Sequence, residues 1–140
     1  MEEGKQMIYK RLEFNVHGDD RGSLIALEQF QSIPFAIKRI YYIYGTKDNV
    51  RREFHAHKKL KQVLICISGH CNLLLDDGYE KTDIFLNKRN IGVYLDRPIW
   101  REMYNFSSDA VLLCIASEIY DESDYIRDYS EFLYCIGKEN

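Results

Sequence analysis

His55 and His57 stand two residues apart in the run Arg52-Glu53-Phe54-His55-Ala56-His57-Lys58. In an extended strand alternate side chains share a face, so both imidazoles point into one space. Imidazole changes charge near neutral pH, and two of them aimed into one cavity can either ligate a metal or move protons. The apolar run Val63-Leu64-Ile65-Cys66-Ile67 and the turn Ser68-Gly69-His70 follow closely, so a strand-rich segment carries the pair. Spacing alone also admits a surface pair or a satisfied pair in a core.

The spacing resembles the ligand pattern of cupin barrels, where His-x-His is followed by a Glu and a Gly, and a later strand pair adds a Gly, a Pro and a further His. Here Gly69 falls in place, but the Glu position holds Gln62. The later segment, Gly92 to Met103, has Gly92 and Pro98 and no histidine. A neutral amide is a poor ligand for a divalent ion, and the fixed charge of Arg101 nearby repels a cation. Glu102 alternates to the face opposite Arg101 and Met103. Proton transfer without a metal is therefore the stronger reading, and no glycine-rich nucleotide motif calls for a redox cofactor.

Such a pair needs a sheet-rich scaffold, and the chain supplies one. Strand-like runs at Tyr9–Val16, Ser23–Glu28, Phe35–Tyr44, Lys61–Ile67, Cys71–Leu75, Tyr79–Leu86, Ile91–Leu95, Trp100–Phe106 and Ala110–Ser117 alternate with turn signals. The segment His17 to Gly22 reads as a loop, and Asp76-Asp77-Gly78 as a tight turn. Many short strands with compact turns make an all-β sandwich or barrel. Only the tail departs: Ile126, Tyr129, Phe132, Leu133 and Ile136 recur at helical spacing, which predicts a C-terminal helix over about 121–136, capped by Asp121 or Ser123.

The bulk composition is that of one globular domain spanning residues 1–140, with 46% hydrophobic and 29% charged residues. A net charge of −3 argues against nucleic acid as the main partner. The 11 tyrosines and 7 phenylalanines suit a sheet and a ring-lined cavity. Cys66, Cys71 and Cys114 lie in or beside apolar runs and, with Cys135, show no C-x-x-C spacing, so reduced thiols are expected. Residues 1–13 lack the apolar core of a signal peptide and no run is long enough for a membrane span, which points to the cytoplasm.

Five linked segments bring a resemblance. Arg21-Gly22-Ser23-Leu24, the stretch Ile33 to Ile43, the stretch Phe54 to Leu64, Trp100-Arg101-Glu102-Met103 and the stretch Tyr120 to Arg127 are similar to the dTDP-4-keto-6-deoxyglucose 3,4-ketoisomerases, in order and from about residue 8 to 133. The resemblance implies a metal-free cupin jelly roll, working without cofactor as a homodimer that exchanges N-terminal strands. It implies a thymidine diphosphate 4-keto-6-deoxyhexose as substrate and its 3-keto isomer as product, for deoxyamino sugar and polysaccharide synthesis. By the same resemblance His55 is the base at C3 and His57 the relay between the oxygens, although spacing does not say which does which. Tyr42 is a candidate partner for a sugar oxygen. Arg21, Arg39, Arg52, Lys58, Trp100 and Arg101 are candidate substrate contacts, the guanidinium forks suiting diphosphate oxygens. Arg21 and the Phe54–His57 run resemble enzymes that give the galacto product and Arg101 those that give the gluco product, so galacto is preferred by two features to one. Rival readings are a non-catalytic nucleotide-sugar-binding cupin and a 3,5-epimerase of the same fold.

Overall fold

In the computed structural model, residues 8–47 and 50–138 are described. Two antiparallel five-stranded sheets face each other. The first, in spatial order, is built from β1 (Lys10–Glu13), β9 (Ile91–Leu95), β6 (Gln62–Ser68), β11 (Val111–Ala116) and β4 (Arg39–Tyr44). The second is β12 (Tyr125–Ile126), β5 (Arg52–His57), β10 (Trp100–Tyr104), β7 (Cys71–Asp76) and β8 (Lys81–Leu86). This is the expected jelly roll.

Period-2 alternation sorts each strand between three apolar clusters. Between the sheets lie Leu64, Cys66, Leu73, Leu75, Val93, Leu95, Met103, Leu112 and Cys114. The outer face of the first sheet (Val63, Ile65, Tyr94, Ile115) is covered by Phe14, Ile33 and Phe35. The outer face of the second (Ala56, Trp100, Ile126) is covered by the tail, through Phe132 and Leu133. The β6–β7 hairpin turns on Gly69, whose φ of +64° and contact with the Ser107–Ala110 backbone and side chains leave no room for a β-carbon.

Two expectations need correction. The tail is not one helix over 121–136. Asp121 caps a short 3-10 turn, Glu122–Asp124; Tyr125 and Ile126 then pair with His57 and Ala56 as β12; and α1 spans only Tyr129–Cys135, capped by Asp128. Pairing to the exposed edge of β5 outweighs the weak helical period of the segment. The stretch from His17 is not a loop but a hairpin, β2 (His17–Asp19) with β3 (Gly22–Leu24), which joins neither large sheet. The run Tyr9–Val16 finds its edge within the chain, where Lys10–Glu13 pairs with β9.

Candidate active site

His55 and His57 project from β5 into one end of the space between the sheets, and both are buried. Their Nε2 atoms meet at 3.1 Å, with the rings at right angles. His57 Nδ1 lies 3.1 Å from Oδ2 of Asp124, and His55 Nδ1 lies 3.3 Å from Oε2 of Glu53. Asp124 is held by the backbone: it accepts N–H bonds from Lys59 at 2.7 Å and Leu60 at 3.3 Å, while its own carbonyl accepts from Lys58. One carboxylate therefore pins both the turn after β5 and the ring at its end.

Three further strands wall the pair. From β10 comes Arg101, opposite His55 in register and 1% exposed. Its guanidinium donates to the carbonyl of Ile99 and to Oε1 of Gln62, and Gln62 in turn donates from Nε2 to the Tyr41 hydroxyl at 2.6 Å. From β12 comes Tyr125, its ring 4.4 Å from that of His57 and 5.0 Å from that of His55. From β4 comes Arg39, stacked 4.5 Å over Tyr41, 5.5 Å over Tyr120, and donating to the Tyr125 hydroxyl. The Arg39 Nε is buried and has no partner among the described residues, so a donor remains for an incoming acceptor.

Burial, and then the Arg101 charge, hold both imidazoles far below their ordinary pKa, His55 down to about 2 and His57 down to about 3. At neutral pH each is an uncharged ring with one lone pair, a base in waiting. Burial pushes the Arg101 guanidinium down as well, yet arginine keeps its proton. Among the described residues no group of three or more His, Cys, Asp and Glu could hold a metal. The Gln62 position, where the cupin pattern has a carboxylate, is filled by an amide bonded to a guanidinium.

The structure brings together His55, His57, Arg39 and Arg101 of the residues singled out in the sequence. It does not bring Tyr42, which is 61% exposed on the outer face of β4 beside Tyr44. Alternation makes this unavoidable: Arg39 and Tyr41 face inward, so Tyr42 cannot. Trp100 is also displaced. It lies one residue from Arg101 and so on the outer face, packed against Tyr129 and Phe132 of the tail. Arg21 sits on the β2–β3 hairpin, 87% exposed and paired to Asp19 at 2.7 Å. Arg52 is exposed beside Glu53, and the Lys58 side chain is exposed just past β5. The sequence reading missed Tyr41, Glu53, Asp124 and Tyr125. Period 2 counted from Arg39 would have found Tyr41; the acidic run 121–124 gave only a capping signal for Asp124.

A family model described as "FdtA: WxcM-like, C-terminal" matches residues 7–137. The chain is 49% identical, over 131 residues and 94% of each sequence, to the TDP-4-oxo-6-deoxy-alpha-D-glucose-3,4-oxoisomerase of Aneurinibacillus thermoaerophilus. Among solved structures it is similar to a 3,4-ketoisomerase from Helicobacter canadensis, with 53% identity and a TM-score of 0.91 over 95% of this chain and 100% of that one. It is also similar to the WlaRB TDP-quinovose 3,4-ketoisomerase of Campylobacter jejuni, with 51% identity and a TM-score of 0.87 over 90% and 97%.

Proposed function

Since this chain belongs to the FdtA family of sugar 3,4-ketoisomerases and is an isomerase, we propose that His55 and His57 move the protons that carry a ketone from C4 to C3 of a TDP-linked 4-keto-6-deoxyglucose. The observation that carries this reading is the meeting of two neutral, buried imidazoles, Nε2 to Nε2, at 3.1 Å. A sugar edge laid over that point offers C3 to one ring and its oxygens to the other.

The reaction balances with protons alone. His55 Nε2 takes the C3 proton; the C–H electron pair becomes the C3–C4 double bond, and the C4 carbonyl pair moves to O4. His57 accepts the O3 proton and returns it at O4, which converts the enediolate with its charge on O4 into the isomer with its charge on O3. That enediolate then collapses the other way: C4 takes a proton from His55 and O3 becomes the ketone. Arg101 supplies fixed positive charge where O4 becomes an oxyanion. Arg39, with an unpaired Nε, suits a phosphate or sugar oxygen.

Two finer readings belong here. The exposed Leu24, Ile40, Tyr42, Tyr44 and Ile67 on the outer side of the first sheet, with a hairpin that joins neither sheet, support a homodimer in which β2 and β3 lie against a second copy. On that reading Arg21 serves the partner's cavity, and a chain starting at Ile25 sediments as a monomer; a stable dimer would overturn it. For C4, Arg21 favours the galacto product, but Arg101 lies against the histidine pair and favours gluco. H4–H5 couplings of the fresh product decide between them. The enzyme works in the cytoplasm, on activated sugars.

The test is turnover of TDP-4-keto-6-deoxyglucose in deuterated water. A 3-keto product is expected, with deuterium at C4 to the extent that the proton on His55 exchanges with solvent before delivery. Tight binding without turnover would support a non-catalytic binding domain instead, and label at C5 an epimerase.

A further inference from the structure

The proposed reaction gives Glu53 no part, and its backbone is unusual. Its φ is +66°, in the left-handed region that favours glycine. It stands at the bulge where β5 slips its register against β10, between the pairs Arg101–His55 and Met103–Arg52. A side chain kept in that conformation beside reacting groups marks a function held against local preference. The carboxylate faces inward, 18% exposed, with Oε2 on His55 Nδ1 at 3.3 Å and Oε1 on Arg52 at 3.6 Å.

Glu53, His55, His57 and Asp124 thus form a chain of three links, of 3.3, 3.1 and 3.1 Å. Each link needs one proton between its heavy atoms, and two neutral imidazoles bring only two. Asp124 already accepts two backbone N–H bonds, so the His57 proton stays on Nδ1 and His57 Nε2 is a lone pair. The His55 proton has two places to go. On Nε2 it bonds His57, and His55 has no lone pair for C3. On Nδ1 it bonds Glu53, and both Nε2 atoms are free for the substrate.

We propose that Glu53 is a positioning residue that selects the second tautomer: it draws the His55 proton to Nδ1, so that His55 Nε2 is the base when a sugar occupies the meeting point. The selection rests on the proposed ketoisomerase chemistry. When Nε2 takes the C3 proton, the new imidazolium stands between Glu53 and the enediol. Arg101 and Tyr125 face the same ring from β10 and β12 and offer no acceptor charge; the other acid whose charge reaches His55, Glu122, is bonded to Arg127 and Tyr120, so the carboxylate in contact with Nδ1 is that of Glu53.

Three variants separate this role from a purely structural one. Glu53→Gly suits the left-handed backbone better than glutamate, so its Tm holds or rises. Its kcat falls all the same, by roughly ten- to a hundredfold, the scale of a lost outer partner on a reacting imidazole, with KM within about twofold of wild type. Glu53→Gln behaves alike, Glu53→Asp recovers part of the rate, and the isotope effect on C3-deuterated substrate grows in the slow variants. In ¹⁵N-histidine spectra with sugar bound, His55 carries its proton on Nδ1 in the wild type and on Nε2 in Glu53→Gly. Wild-type kcat in both Gly and Gln variants, or an unchanged tautomer, overturns the proposal. If the wild type itself fails to isomerise the sugar, the functional reading falls instead, and the tautomer comparison still tests Glu53.

Discussion

The space between the two sheets has two unlike ends, built by the same strands. On β4 the inward residues run Arg39, Tyr41, then Ile43; on β6, Gln62, then Leu64 and Cys66; on β10, Arg101, then Met103. Two residues along a strand, about 7 Å, change the interior from a hydrogen-bonded array to a hydrocarbon core. The apolar end is held by area removed from water and by close packing, which tolerate no gaps. At the polar end the buried groups are held by partners, Arg101 on Gln62 and Ile99, Gln62 on Tyr41, His57 on Asp124, with the Arg39 Nε as an exception. The apolar end makes the barrel rigid enough to hold the polar end at bonding distances. The polar end weakens the barrel locally and supplies the chemistry. The contrast predicts that stability and activity separate by position.

The sharpest break is at the histidines. Asn in place of His55 or His57 lowers kcat by roughly 10²–10⁴, the contribution of a positioned acid or base, while thorough chelation leaves the wild-type rate unchanged. A rate lost on chelation and restored by zinc would end the proton-only reading. At the other end, Leu73→Ala, fully buried, costs about 2–5 kcal/mol of stability. Its kcat, measured well below the melting transition, stays near wild type; denaturant titration beside steady-state kinetics checks both. Arg101→Met extends the hydrocarbon into the polar end. Removing a buried charge with no carboxylate partner relieves its desolvation but orphans the Gln62 Oε1 and the Ile99 carbonyl, so the two effects offset and stability changes by no more than about 1–3 kcal/mol, while turnover falls roughly a hundredfold with the loss of oxyanion support. A destabilised but active Arg101→Met would reverse the roles assigned to the two ends.

The smallest effect sharpens the contrast through pH. Both histidines have folded values far below their unfolded ones, held down by burial and Arg101. Between about pH 6.5 and 3 the unfolded chain takes up protons that the native state does not. Stability is therefore complete above about pH 6.5 and falls as the pH is lowered, by up to about 1.4 kcal/mol per unit from each histidine and about twice that from the pair. Leu73→Ala shifts that curve down without changing its slope, and the double Asn variant flattens it. Melting curves at pH 7, 6 and 5 suffice.

The elements that alternation governs were legible in the sequence: Ile91–Leu95 was read to the residue, and the strands around Leu64, Leu73 and Cys114 to within a residue or two. The same rule, applied strictly, puts Arg39 with Tyr41 and Arg101 apart from Trp100, so Tyr42 and Trp100 were legible errors. Asp124 and Glu53 were not legible. Asp124 reaches His57 across 67 positions of chain by way of a two-residue strand too short to leave a pattern. Glu53 shares the inward face of His55 by alternation, but the bulge and the left-handed backbone that set its carboxylate against Nδ1 leave no mark in the sequence of a non-glycine residue.

Asp124 has a consequence for how the protein comes into being. During synthesis the ribosome delivers His55 and His57 early, with the β5 edge bare and the ring of His57 unanchored. The residue that fixes that ring, and that ties down the amides of Lys59 and Leu60, emerges almost seventy positions later. On the proposed chemistry, a nascent chain that has made the histidine strand still lacks the group that orients its proton carriers, and a message cut short before residue 124 leaves the His57 ring without its carboxylate.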